Sequence, residues 1–220
     1  MIKGFKVLDL SMPIKSLETP VFPGYPQPLK ATFTTIKTHG YNSHVWVLVE
    51  HTSTHVDAPK HFMDEGPAID EIPAERYVGW ATAIDLSDVG PEHVVSEEEI
   101  RERLERLPFS IEEGWVLLMH TGYSSKAGTP EWFKHPGLGE DACRYLVKLR
   151  VKAIGVDAPS PDRAPFPAHK ILLPEGIAIY ENLTNLDELV GKKFIFVGLP
   201  LKLVGATATP VRAVALVPEA

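Results

Sequence analysis

Alternation between apolar and polar positions predicts a chain that is rich in β-strands. The segments Ala31–Lys37 and Ser43–Val49 both alternate and are rich in β-branched residues, which is typical of half-buried strands. Turn-forming residues separate these two segments, so we predict that they form a hairpin. Further apolar segments predict the strands Lys6–Ser11, Ala81–Leu86, Trp115–Met119, Val151–Asp157, Ile177–Tyr180, Phe194–Val197 and Val211–Val217.

Two other stretches have the spacing of helices. Ser96 followed three residues later by Glu99 is a capping-box pattern, which predicts a helix that runs to Leu107. Apolar residues at helical spacing predict a second helix over 139–150. This second helix lies between two predicted strands, an order that predicts a parallel strand pair. Together these elements predict one α/β domain over residues 1–220, with a mixed β-sheet and three or four helices.

The overall composition is typical of a soluble globular protein. Hydrophobic residues make up 44% and charged residues 23% of the 220 positions. The formal net charge is −7 and the basic residues form no cluster, which argues against a nucleic-acid partner. No apolar run approaches the roughly 20 residues of a membrane span, so we expect no membrane partner. Cys143 is the only cysteine, so we expect a buried thiol, no intrachain disulfide and a cytoplasmic protein.

The densest group of potential metal ligands lies in the first third of the chain. His51, His55, Asp57 and His61 fall within eleven positions, and imidazole nitrogen and carboxylate oxygen are common ligands of zinc-like divalent ions. A helix does not fit this segment, because β-branched residues separate the histidines and Pro59 follows closely. We therefore expect an extended segment in which alternate residues share one face.

The length of an extended segment predicts a bend in it. Fully extended, His51 and His55 would have α-carbons roughly 13 Å apart, at about 3.3 Å per residue, which is long for two ligands of one ion. We therefore infer a bend near Thr52–Thr54, with His61 beside the metal and not necessarily a ligand. On spacing alone, a metal site and a hydrogen-bonded strand end explain the cluster equally well.

The order of several motifs identifies a family. The stretch His-Thr-Ser-Thr-His-Val-Asp-Ala-Pro-Lys-His-Phe resembles the signature His-x-Gly-Thr-His-x-Asp-x-Pro-x-His-Phe of the cyclase-family metal hydrolases. These include bacterial kynurenine formamidases and isatin hydrolases. Ser53 stands where the family usually has glycine, and we expect it to be tolerated, at a cost of about 1 kcal/mol or more if the bend requires a positive φ there. The resemblance continues, in the family's order, through Pro20–Pro26, Gly155–Asp162, His169, Ile179–Leu183 and Pro200–Ala215.

The resemblance implies a cyclase-type swivelling β/β/α fold and a set of site residues. His61 is the implied general base, which would then act as the acid towards the leaving nitrogen, since its ordinary pKa lies near physiological pH. The aromatic residues Phe22 and Tyr25 are candidates for the substrate pocket, and the resemblance puts the Thr121–Gly122 turn near it. The implied metal ligands come from both halves of the chain: His51, His55, Asp57, His169 and Glu181.

Three further polar residues have two possible roles. Asp157, Ser160 and Asp162 either orient metal ligands from a second layer or form turns beside the neighbouring prolines.

The implied activity is metal-dependent hydrolysis of a non-peptide C–N bond. An aryl formamide, N-formylkynurenine, is the leading substrate, which would give kynurenine and formate in tryptophan catabolism. A cyclic aryl amide such as isatin is the second candidate. A small-molecule binding protein without turnover is a third, although binding alone needs no acid–base residue at position 61. The resemblance implies zinc or manganese, as one ion or as a pair bridged by Asp57 or Glu181, and it suggests a homodimer or homotetramer.

Overall fold

The computed structural model of the chain describes residues 3–219 and confirms an α/β fold. Four α-helices lie within the described residues: α1 (Ile36–His39), α2 (Glu97–Glu105), α3 (Glu140–Lys148) and α4 (Pro167–Leu172). The strands of the described residues are β1 (Phe5–Asp9), β2 (Leu29–Thr34), β3 (Ser43–Val47), β4 (His55–Asp57), β5 (Val78–Asp85), β6 (Val94–Val95), β7 (Val116–His120), β8 (Gly137–Leu138), β9 (Ala153–Val156), β10 (Ala178–Glu181), β11 (Phe194–Val197), β12 (Ala208–Pro210) and β13 (Val214–Pro218).

Nine strands form one mixed sheet in the order β1-β13-β11-β5-β7-β9-β10-β4-β12. The four strands β5, β7, β9 and β10 are parallel neighbours, whereas the pairs outside them are antiparallel. The predicted parallel pairing across the helix at 139–150 is confirmed, because β7 and β9 pair in parallel on either side of α3 in sequence. No helix within residues 3–219 has both the length and the apolar character that spanning a membrane requires.

The hydrophobic core lies on both faces of this sheet. In β7, Leu117 and Met119 belong to the cluster that also includes buried residues of α2, α3 and α4. Val116 and Leu118 point to the opposite face and pack in a second cluster with Phe194 and Phe196. A strand buried on both faces needs apolar residues at every position, which explains the continuous apolar run in this segment.

The two predicted helices form as expected from their local sequence. At the start of α2, the Ser96 hydroxyl accepts the Glu99 backbone N–H and the Glu99 carboxylate accepts the Ser96 N–H, which is the predicted capping box. In α3, Ala142, Cys143 and Leu146 face the core. Burial raises the pKa of Cys143 to about 12, so its thiol stays protonated and inert.

The predicted hairpin is confirmed but is shorter than expected. Strands β2 and β3 pair antiparallel as a separate two-stranded sheet, with Leu29 opposite Val47. The predicted first strand was too long, because Ile36 and Lys37 lie in the single turn of α1. Asn42 accepts the Ile36 backbone N–H through its side-chain oxygen, and Gly40 ends the turn with a φ of 82°.

Candidate metal centre

Two antiparallel strands present three of the predicted ligands on one face. Strand β4 carries His55 and Asp57, which share a face because they are two residues apart. Strand β10 ends at Glu181, which lies directly opposite His55 in the register. All three side chains are at least nine-tenths buried. The pairing of β4 with β10 therefore places an imidazole and two carboxylates together inside the protein.

The predicted bend before β4 is made at Ser53. Its φ is 61°, in the left-handed region where glycine is favoured, so the bend does require a positive φ at this serine. The Ser53 carbonyl accepts hydrogen bonds from His55 Nδ1 at 2.8 Å and from Asn182 Nδ2 at 2.9 Å. The Ser53 hydroxyl donates to the Met12 carbonyl at 3.0 Å. These contacts hold the strained residue and bring the ring of His51 to 5.0 Å from that of His55.

The candidate ligand atoms lie at the separations that a small divalent cation needs. His55 Nε2 is 3.4 Å from Asp57 Oδ1 and 3.3 Å from Glu181 Oε2. His169 Nε2 is 3.5 Å from Asp57 Oδ2 and 3.4 Å from Glu181 Oε1. Ligands about 2.0–2.1 Å from a tetrahedral ion would be separated by about 3.3–3.4 Å. His51 Nδ1 comes closer, at 2.9 Å from Asp57 Oδ1.

His51, His55 and His169 are each anchored through the ring nitrogen that points away from Asp57 and Glu181. His55 donates from Nδ1 to the Ser53 carbonyl, and His51 Nε2 contacts the Thr207 hydroxyl at 3.2 Å. His169 Nδ1 lies 2.9 Å from Asp162 Oδ1. Metal-binding histidines typically have an outer hydrogen bond of this kind, which fixes the ring orientation.

Asp162 is the outer partner of His169 and also caps α4. Its Oδ2 accepts the backbone N–H groups of Ala168 at 2.6 Å and of His169 at 3.1 Å. Ser160 donates to Asp162 Oδ1 at 3.2 Å. The Asp162 carboxylate therefore contacts both the start of α4 and a candidate ligand, so the ligand-orienting role stays a prediction that these contacts support.

The buried polar atoms of the cluster fit a cation. Both carboxylate oxygens of Asp57 and Nε2 of His55 are buried without a partner in hydrogen-bonding geometry among residues 3–219. Burial alone would lower the pKa of His55, but its contacts with Asp57 and Glu181 raise this pKa to about 10. Burial would raise the pKa of Asp57, whereas the imidazoles of His169, His51 and His55 hold it well below its ordinary value. A bound divalent cation would supply the positive charge that this cluster attracts.

His61 lies beside the cluster at the end of the short 3₁₀ helix Pro59–His61. Its ring centroid is 4.1 Å from that of His51 and 5.8 Å from that of His169. Together with His51 and Asp57 it offers a second group of ligand atoms within 4.8 Å of one another. Burial lowers the pKa of His61 to about 4, so the ring is neutral at physiological pH.

The cluster opens into a cavity of about 200 Å³ with aromatic walls. Phe22 and Tyr25 line it, as the sequence predicted for the Pro-Gly loop. Three further aromatic residues of the lining, Phe62, Trp132 and Phe166, were not predicted. Of these three, Phe62 had a sequence signal, because it closes the histidine motif. In the structure its ring stacks on that of His169, with the ring centroids 4.6 Å apart.

The Thr121–Gly122 turn lies outside the lining of this cavity. The Asp157 carboxylate accepts the Thr121 backbone N–H and hydroxyl, each at 2.6 Å, and the Gly122 N–H at 2.9 Å. His120 Nδ1 is 3.2 Å from the same carboxylate. Within the described residues, these are the hydrogen bonds of Asp157, so this residue joins the ends of β7 and β9 and orients none of the candidate ligands.

Comparison with known proteins agrees with this fold. A family model described as a putative cyclase matches residues 8–163. The chain is 32% identical to the kynurenine formamidase of Bacillus thuringiensis, over 97% of this chain and 98% of that protein. It is 31% identical to the isatin hydrolase of Roseibium aggregatum, over 79% of this chain and 74% of that protein. A solved structure described as a predicted metal-dependent hydrolase from Bacillus stearothermophilus is 32% identical and superposes with a TM-score of 0.79, covering 96% and 98% of the two chains.

The fold and these relatives thus define a hydrolase. The chain belongs to the putative cyclase family, whose model matches more than half of its residues. The mixed sheet with few helices is the fold of that family, so the fold predicted from the resemblance is confirmed.

Proposed function

We propose that this protein is a metal-dependent amidohydrolase that cleaves the C–N bond of an aryl amide. N-formylkynurenine is the leading substrate and isatin is the second, following the names of the relatives. The observation that carries this proposal is the convergence of three imidazoles and two carboxylates beneath an aromatic cavity. The cluster supplies the reaction centre, and the aromatic walls suit the ring of the substrate.

The metal ligands of the proposal are His51, His55, Asp57, His169 and Glu181. Asp57 belongs to both groups of converging ligand atoms, so it is the residue that would bridge two ions if a pair binds. Zinc and manganese both suit nitrogen and oxygen ligands, and the proposal covers one ion or two. When bound, a divalent cation lowers the pKa of water towards about 7 and polarises a carbonyl oxygen.

His61 is the proposed acid–base residue. It differs from His51, His55 and His169 because no hydrogen bond anchors its ring within the part of the chain that the structure describes. A neutral, unanchored imidazole has a free lone pair that can accept a proton from water. The protonated ring can then deliver that proton to the leaving nitrogen, so that water adds to the carbonyl carbon as the C–N bond breaks.

Phe22 and Tyr25 are the proposed substrate contacts on one wall. The Phe22 ring lies 6.1 Å from that of Tyr25, and the Tyr25 ring lies 6.2 Å from that of His51. These two side chains therefore connect the cavity wall to the cluster of ligands. An aryl ring placed against them would hold its amide group above the metal ligands.

The experiment combines metal loading with a substrate panel. The protein would be stripped of metal, reloaded with zinc or manganese, and assayed on N-formylkynurenine, isatin and simple cyclic amides. We expect uptake of at least one ion per chain and hydrolysis of an aryl amide that depends on this ion. Stoichiometric uptake without hydrolysis of any of these amides would favour the binding-protein alternative. Absence of uptake would overturn the metal site itself.

We also propose that the chain forms a homodimer or homotetramer. The β2–β3 hairpin is a separate two-stranded sheet whose apolar side chains are exposed, with Phe33 at 69% and Val47 at 62%. An isolated two-stranded hairpin is marginally stable in water, and exposed apolar patches mark contact surfaces. Light scattering should therefore give a multiple of the monomer mass, and a Phe33→Lys variant should have a lower measured mass.

A cytoplasmic location stays a prediction from the sequence.

A further inference from the structure

A glutamate and a threonine form a chain of hydrogen bonds behind His51. The Thr207 hydroxyl donates to Glu50 Oε2 at 2.6 Å, and the same carboxylate oxygen accepts the Thr207 backbone N–H at 2.8 Å. His51 Nε2 lies 3.2 Å from Thr207 Oγ1. Glu50 and Thr207 are not among the proposed metal ligands, and they lie on the side of His51 that faces away from Asp57.

The direction of these hydrogen bonds determines which nitrogen of His51 carries the proton. A threonine hydroxyl has one proton, and an ionised carboxylate can only accept. The Thr207 hydroxyl proton is therefore directed to Glu50, which leaves the Thr207 oxygen as an acceptor towards His51. With a cation bound between His51 and Asp57, the ring would then carry its proton on Nε2, and Nδ1, 2.9 Å from Asp57 Oδ1, would offer its lone pair to that cation.

We propose that Glu50 and Thr207 are positioning residues that select this tautomer of His51 and so present Nδ1 as its metal ligand. The inference rests on the metal site of the proposed function. His51 would bind through Nδ1, in contrast to His55 and His169, whose Nδ1 atoms are anchored and whose Nε2 atoms face the carboxylates. His51 lies before the bend, and its Nδ1 reaches the same Asp57 oxygen, Oδ1, that His55 reaches with Nε2.

The first test removes the acceptor. Thr207→Val keeps the shape of the side chain but has no oxygen for His51, whereas Thr207→Ser retains the hydroxyl. Zinc affinity, measured by competition with a chelator, should fall about 10–100-fold in Thr207→Val and stay near wild type in Thr207→Ser. The matched control is Thr82→Val, which removes a buried threonine hydroxyl from β5 and should leave zinc affinity unchanged. Unchanged zinc affinity in Thr207→Val would overturn the proposal.

The second test separates orientation from charge. Glu50→Gln removes the negative charge but keeps an oxygen that can accept both donors of Thr207, whereas Glu50→Ala removes the acceptor. We expect Glu50→Ala to weaken zinc binding and Glu50→Gln to remain close to wild type. Equal losses in the two variants would mean that Glu50 acts by charge alone, which contradicts the selection of a tautomer.

The third test reads the tautomer directly and needs no variant. In zinc-loaded wild-type protein, ¹⁵N NMR of His51 should show zinc on Nδ1 and a proton on Nε2 that exchanges slowly. Zinc on Nε2 would refute the inference even if every variant misfolds. Failure of the wild-type protein to bind zinc would instead refute the proposed metal site, so the two failures are distinguishable.

Discussion

Replacement of His61 by alanine should slow hydrolysis without removing the metal. His61 touches the cluster through its ring contact with His51, but within residues 3–219 no hydrogen bond fixes its ring nitrogens. General acid–base residues contribute about 10²–10⁴ in rate, and the contribution is largest when the pKa lies near the operating pH. Because burial lowers the pKa of His61 to about 4, it is a weak base, and we expect a loss nearer to 10².

The same pKa predicts the pH dependence. The reaction needs the unprotonated ring, so kcat/KM falls as the pH falls through the pKa of His61. With a pKa of about 4, the protonated fraction of His61 at pH 7 is roughly one in a thousand. The fall of kcat/KM at low pH, its acid limb, should therefore lie near pH 4. An unperturbed histidine would place that limb near about pH 6.5. A bound cation nearby would lower the pKa further, because like charges disfavour the protonated ring.

The assay is kcat/KM against pH for wild type, His61→Ala and His55→Ala, with metal content measured at each pH. His55→Ala is the control, because loss of a proposed ligand should remove metal and activity together. His61→Ala should retain its metal and lose the acid limb that the wild type shows. Full activity in His61→Ala would refute the acid–base role. Loss of metal from this variant would show that His61 is a ligand.

Two further predictions concern the residues that shape the site. Asp162→Asn leaves one acceptor oxygen for the donors of Ala168 and His169, so zinc affinity should fall about 10–100-fold in a chelator competition, and an unchanged affinity would contradict the orienting role. Ser53→Ala and Ser53→Gly both lose the hydrogen bond to Met12, but alanine keeps the left-handed strain. Urea unfolding should therefore show Ser53→Ala to be about 1 kcal/mol less stable than Ser53→Gly, and equal stabilities would mean that the φ of 61° carries no cost.

The parts of the site that lie close together in sequence were the ones that the sequence predicted well. A fully extended segment would hold His51 and His55 too far apart to be ligands of one ion. The bend predicted for this reason is present at Ser53. Alternation along a strand correctly predicted that His55 and Asp57 share a face. Both predictions depend only on the rise of a strand and on steric limits of the backbone, so they need no knowledge of the rest of the fold.

Predictions that depended on distant pairing were less complete. Thr207 is 156 positions from His51, and it reaches the site because β12 pairs with β4 at the edge of the sheet. Trp132 and Phe166 enter the cavity from a 3₁₀ helix and from a residue with a φ of 61°, and neither element has a periodic sequence pattern. Asp157 illustrates the opposite case, since its place in a family motif said nothing about which side chains it would contact.

The histidines of the site are held in place in different ways, and this difference bears on the roles proposed for them. His55 and Glu181 lie opposite each other on paired strands, so the ladder of backbone hydrogen bonds fixes their separation. His51 and His169 come from a bend and from a short helix, and each is anchored by an outer side chain instead. His61 comes from the same kind of irregular segment, yet its ring has no such anchor among the described residues. A ligand without an anchor would lose rotamer entropy on binding a cation, whereas a proton carrier needs only one ring nitrogen that no other group occupies, so this difference favours acid–base chemistry for His61.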